Sequence, residues 1–136
     1  MNHIEQLRKI EADGKVFTTA ILGAGYVAGG VVDIIEIIPA FTVSLIVNRT
    51  VQRAIDLLEI SGVDKENIVV SDDKDVLMKA MSAGRHAVTS SYQLLPQLDI
   101  DIAIEATGAI DYGTNAILKC LDSRIDVVSY LSLIHI

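Results

Sequence analysis

At 136 residues the chain can build one domain with a real core, and it is too short for two domains of ordinary size. Its 51% hydrophobic and 21% charged residues predict a folded globular protein and exclude a disordered one. A net charge of -7, with no lysine or arginine cluster set against it, argues against general nucleic-acid binding. The single cysteine, Cys120, excludes an internal disulfide framework and fits a reducing compartment. Glu5, Arg8, Lys9, Glu11 and Asp13 stand where a signal peptide would be apolar, and the apolar runs are strand-sized or broken by charge. The expectation is therefore a cytoplasmic protein with no membrane partner.

Asn2 to Asp13 spaces Ile4, Leu7 and Ile10 as a helix does and stops at Gly14, predicting a short amphipathic helix that lies against the sheet or a partner. His3 reads as a solvated helix-end histidine. A strand follows at Phe17 to Leu22, then the turn Gly23-Ala24-Gly25 and a helix from Tyr26 to Ile38, closed by Pro39. Gly23, Gly25 and Ala28 fit G-x-G-x-x-[G/A], which between a strand and a helix is the dinucleotide-binding fingerprint. Gly23 permits the tight exit, Gly25 lets backbone approach a pyrophosphate, and Ala28 with Gly29 lets the helix lie close on the strand. Gly29 and Gly30 each cost the helix about 1 kcal/mol relative to alanine, which points to close packing or close ligand approach. The alternative is a strand-to-helix turn that binds nothing.

Phe41 to Val47 is an apolar second strand of the kind covered on both faces. It ends in Asn48-Arg49-Thr50, where a dinucleotide domain usually carries an acid for the ribose 2′-hydroxyl, about 20 residues past the glycines. An acid would repel a 2′-phosphate, whereas Arg49 can grip one with a charge-assisted fork, so NADP is favoured over NAD. The plainer alternative is a solvated arginine just before a helix.

Val51 to Ser61 reads as that helix, stopped by Gly62, and Asn67 to Val70 as a short third strand. Ser71-Asp72-Asp73-Lys74-Asp75 reads as a helix start with acids in its first turn, and as no metal site, since no further ligand stands at the right spacing. Val76 to Ala83 is the helix, stopped by Gly84. His86 to Thr89 is a short extended segment in which His86 reads as a surface histidine, and Tyr92 to Leu95 is a helical turn ended by Pro96. Ile100 to Glu105 is a strand whose carboxyl end, Ala106-Thr107-Gly108, is small enough to admit a ribose and nicotinamide, with Thr107 as a hydrogen-bond donor. The alternative is a plain strand-to-helix connection. Asp111 to Leu121 is a helix that buries Cys120 as a small hydrophobe, and Ile125 to Val128 is a further strand.

Alternating strands and helices from Phe17 to Val128 predict an α/β fold with a doubly wound parallel sheet, the Phe17 strand lying between the Phe41 and Ile100 strands. The expected division is a helix over 1–15, a nucleotide-binding domain over 16–129 and an atypical tail over 130–136.

Four blocks carry a resemblance: Gly23-Ala24-Gly25-Tyr26-Val27, Ile68 to Asp73, Ala83 to Thr89, and Asp101 to Gly108. In order and spacing they resemble the amino-terminal domain of homoserine dehydrogenase-like oxidoreductases, in particular the subgroup with a carboxyl-terminal SAF domain. The likeness covers roughly residues 3 to 128. It implies NAD(P)-dependent hydride transfer on the CH-OH group of a small polar metabolite, with Gly23, Gly25, Tyr26 and Val27 at the phosphates and Ala106, Thr107 and Gly108 beside the nicotinamide. The Asn48-Arg49-Thr50 run also resembles the NADP-selecting turn of the 6-phosphogluconate and β-hydroxyacid dehydrogenases. After the Val127-Val128 strand the chain departs from the family: Ser129 to Ile136 matches nothing expected there. That stretch is either a sixth strand or the false ending of a truncated or misread gene, and the second is favoured. The lysine and acids that serve hydride transfer in homoserine dehydrogenases have no counterpart, so no catalytic residue is assigned and the chain alone is expected to be inactive.

The expected partner is a small-molecule substrate met through a missing domain. An open Ile125 edge would favour poor solubility or a homo-oligomer. Two other readings stand beside this one: a non-catalytic nucleotide- or redox-sensing module, and an S-adenosylmethionine methyltransferase, which usually wants an acid where Asn48-Arg49 stands.

Overall fold

The computed structural model describes residues 2–129, so the tail over 130–136 lies outside the described residues. The order is α1 (His3–Ala12), β1 (Phe17–Leu22), α2 (Tyr26–Glu36), β2 (Phe41–Val47), α3 (Val51–Ile60), β3 (Ile68–Val70), α4 (Lys74–Ser82), β4 (His86–Thr89), β5 (Ile102–Glu105), α5 (Ile110–Asp122) and β6 (Asp126–Ser129). Short 3-10 turns cover Lys65–Asn67 and Tyr92–Gln97. The strands form one six-stranded sheet in the order β3-β4-β2-β1-β5-β6. Every pairing is parallel. β1 does lie between the Phe41 strand and the strand that ends at Glu105, as the pattern predicted.

Parallel strands need crossovers, and the crossover helices bury both sheet faces, which is why the central strands are mainly apolar, with Thr19 and Ser44 buried among them. Ile21, Ile46 and Val88 pack on one face against Ala28 and Val32 of α2 and Leu58 of α3. Leu22, Leu45 and Ala103 pack on the other against Leu77 of α4, Leu95, and Ala116 and Cys120 of α5. Burial pushes the Cys120 thiol up to about 11, so it is a neutral core side chain at physiological pH. Among the described residues no helix is long and apolar enough to cross a membrane.

The helix stops at Gly14, Gly62 and Gly84 all have positive φ, where a β-carbon would be strained. α5 ends instead on Arg124, which takes φ 60 without being a glycine. α1 is closed at its start by a capping box between Asn2 and Glu5, and it buries none of its residues completely.

Three local expectations change. His86 is not a free surface histidine: its half-buried ring sets Nδ1 at 2.7 Å from the Val43 carbonyl, which can only accept, so Nδ1 carries the proton. That carbonyl stands where the β1–β2 register slips, between Thr19↔Val43 and Ala20↔Leu45. α4 begins at Lys74 with Asp73 as its cap, the Asp73 carboxylate accepting from the Asp75 and Val76 amides. Gly29 does not serve close helix packing: no atom lies within 4 Å of where a β-carbon would sit on Gly29 or Gly30. Ala28, fully buried, packs toward the sheet with Val31, Val32 and Ile35, and Gly29 takes no part.

Candidate functional site

The register sets the strand ends level. Leu22 of β1 pairs with Val47 of β2 and Glu105 of β5, and Val47 pairs in turn with Thr89 of β4. Backbone bonding continues one residue beyond: the Gly23 amide donates to Val47 O at 2.8 Å, Ala106 to Leu22 O at 2.8 Å and Asn48 to Thr89 O at 3.1 Å. The three runs singled out in the sequence thus share one carboxyl edge. They meet around β1, whose crossover leads to β2 on one side while β5 lies on the other. In open α/β sheets this switch point is where a crevice forms.

The β1–α2 turn leaves its donors free. Gly25 caps α2 from extended backbone, with no side chain bonded to the first-turn amides. A β-carbon on Gly25 would meet nothing within 4 Å. The start of the helix therefore offers amides and a partial positive charge to open space, an arrangement suited to an anion. Tyr26 is 98% exposed and Val27 is also exposed, so their side chains face outward beside those amides. From this turn a groove of about 620 Å³ runs between α2 and α3, past Gly29, Gly30, Asp33 and Arg53. Ser61 closes its far end by donating to Asp33 Oδ1 at 3.0 Å.

Gly23 does a different job. It takes φ +114, and a β-carbon there would sit 2.7 Å from the Ala106 carbonyl oxygen and 2.8 Å from Thr107 Cα. Its want of a side chain lets the β1 and β5 turns touch.

The β5–α5 turn is held from within. Glu105 is fully buried at the end of β5. One carboxylate oxygen accepts from the Thr107 amide at 2.8 Å and the Thr107 hydroxyl at 2.6 Å. The other accepts from the Ser129 hydroxyl at 2.9 Å. The Thr107 hydroxyl in turn accepts from the Ala109 amide at 3.2 Å. The one proton of that hydroxyl thus goes to Glu105, and Thr107 shapes the loop; Ala106 is buried with its amide bonded to Leu22 O, and Gly108 takes φ 68. Gly113 seats α5 on this turn, since a β-carbon there would lie 2.7 Å from Thr107 Oγ1 and 2.8 Å from Glu105 Oε1. The acid that ends this strand and the glycine inside α5 are sequence features that could have pointed to this assembly, and neither entered the expectation for this turn.

At the end of β2, Asn48 Nδ2 donates to the Thr50 carbonyl at 2.8 Å and sets the turn that projects Arg49. Thr50 is the N-cap residue of α3 without a side-chain cap bond. The Arg49 guanidinium lies over the ring of Tyr112, 4.8 Å from its centroid. Tyr112 meets Tyr92 edge-on at 5.2 Å. Burial raises the Tyr112 phenol above its ordinary 10.0; the Arg49 cation pulls it back down and Tyr92 adds a smaller upward push. The two tyrosines were not among the sequence-derived site residues, because their approach to Arg49 depends on the fold.

No protein-family model and no curated protein matches the chain. Among solved structures it is similar to GenD2 from gentamicin A biosynthesis in complex with NAD, at 11% identity and TM-score 0.42, covering 85% of this chain and 34% of that one. It is also similar to NDP-N-acetyl-D-galactosaminuronic acid dehydrogenase from Methanosarcina mazei Go1, at 19% identity and TM-score 0.38, covering 79% of this chain and 22% of that one. The chain thus spans well under half the length of either.

Proposed function

We propose that the chain is the NADP(H)-binding domain of an oxidoreductase, working in hydride transfer to or from a small polar metabolite. The observation that carries this reading is the uncapped, side-chain-free start of α2 at the switch point of a parallel sheet. The pyrophosphate would be held by the amides that follow Gly25, and the 2′-phosphate by Arg49 on the Asn48-Arg49-Thr50 turn. The loop from Ala106 through Thr107 to Gly108 would stand beside the nicotinamide end. When bound, the dinucleotide would donate the hydride in its reduced form or accept it in its oxidised form; the chain's own residues supply binding and orientation.

Glu105, the buried carboxylate at this edge, has both oxygens taken by hydrogen bonds. We therefore give Glu105 no part in proton transfer, and we assign substrate binding and catalysis to a further domain, as the resemblance to homoserine dehydrogenase-like enzymes implies.

Titration of the chain with NADPH and NADH tests the reading, with tighter binding of NADPH expected. Arg49→Ala should weaken NADPH by about 1.5–3 kcal/mol, the range for a hydrogen bond to a charged group, or roughly 10- to 150-fold. Equal affinity for the two nucleotides would remove the role given to Arg49, and binding of neither would remove the cofactor.

A further inference from the structure

We infer, on the basis of the NADP(H) reading above, that Tyr112 is a positioning residue for the 2′-phosphate, acting through Arg49. An exposed arginine on a turn samples many rotamers, and a ligand that needs one of them must first restrict it. Here the guanidinium already rests over an aromatic face, 4.8 Å from the ring centroid. A cation over a ring face uses its charge and leaves N–H donors available. Among the described residues no hydrogen bond or ion pair engages the Arg49 side chain. The cation is oriented while its donors stay unmet.

The ring that orients it is itself firmly placed. Tyr92 abuts it edge-on, and the adjoining Gly113 seats α5 against Glu105 and Thr107. The Tyr112 hydroxyl is buried with no hydrogen-bond partner among the described residues. The ring, and not the hydroxyl, therefore does the positioning. It reaches Arg49 from the opposite side of the crevice, so the first turn of α5 governs a group projected by the β2–α3 turn.

The test is to titrate the 136-residue chain and its variants with NADPH and NADH, checking each fold by circular dichroism. Tyr112→Leu should weaken NADPH about three- to thirty-fold, the span of a cation–π contact, and leave NADH within about two-fold. Tyr112→Phe should keep the wild-type ratio of the two affinities. In an Arg49→Ala background, Tyr112→Leu should change that ratio no further. If the leucine variant unfolds, Tyr112→Met, which keeps the bulk without the ring, takes its place with the same expectation.

The inference is overturned if the ring-less variant leaves NADPH affinity unaltered, if it weakens both nucleotides alike, or if Tyr112→Phe falls as far. In those cases a wild-type preference for NADPH leaves the cofactor reading standing. A wild-type chain that binds neither nucleotide overturns both.

Discussion

The turn after β1 leaves its backbone donors facing open space, whereas the turn after β5 folds its polar groups onto one another. Gly25 begins α2 with no side chain in attendance. Across the crevice Glu105 gathers the Thr107 amide, the Thr107 hydroxyl and the Ser129 hydroxyl. One edge of the sheet thus carries a turn whose donors stay open and a turn completed by the chain. The second gives the first a rigid wall, and Gly23 is the point where they touch.

The two glycines of the β1–α2 turn should break very differently. Gly23→Ala drives a methyl into the Ala106 and Thr107 backbone from a positive φ, and it should cost at least ~3 kcal/mol in denaturant unfolding. Gly25→Ala should cost only about 0.5 kcal/mol, as its backbone is extended and its surroundings are empty. It should nevertheless weaken the dinucleotide by ten-fold or more, because the methyl would occupy space the phosphates need. Matched stability losses in the two variants would contradict the division of labour.

Glu105→Ala, which leaves the Thr107 and Ser129 donors without their acceptor in a buried site, should cost about 2–4 kcal/mol by thermal melting. Glu105→Gln keeps an acceptor for Thr107 and should cost roughly 1 kcal/mol or less. A glutamine variant as unstable as the alanine one would mean that the charge, and not the hydrogen bonding, holds the turn.

A third connection on the same edge shows the internal pattern on a smaller scale. Asp72, after β3, accepts from the Thr89 hydroxyl at 2.6 Å, the Ser90 amide at 3.0 Å and the Ser90 hydroxyl at 2.8 Å. The Thr89 hydroxyl first, then the two Ser90 donors, hold its carboxyl below the ordinary 3.8, against a small opposing effect of burial. A lowered folded value gives stability that is present above 3.8 and is lost as pH falls through the folded value. Asp72→Asn should therefore lower the Tm slightly at neutral pH, and its gap from wild type should close below pH 3.8. A gap that stays constant with pH would assign the effect to shape and not to charge.

Much of the fold was legible because its signals are local. Phe17–Leu22 and Phe41–Val47 are strand-length apolar runs, and Gly14, Gly62 and Gly84 stop helices where positive φ is required. The two glycines at the switch point and the arginine after β2 were legible for the same reason. What escaped notice depends on residues far apart in the chain. His86 reaches a carbonyl 43 residues away, and Asp72 a hydroxyl 17 away. Arg49 meets Tyr112 only because β2 and β5 flank β1. Gly29 and Gly30 were read as serving close packing or close ligand approach; they face a groove, which removes the packing alternative, since periodicity places residues on a helix face without saying what lies opposite.

Those groove-facing glycines carry a dynamic consequence. Each lowers helix propensity by about 1 kcal/mol, and they follow a start that no side chain secures. The opening turns of α2 should thus part from the rest of the helix far more often than the interior strands do. Deuterium should replace the amide protons of Val27 to Gly30 well before those of Ile21 or Ile46, which sit in the core. An anion seated on the open first-turn amides, Tyr26 to Ala28, would slow their replacement.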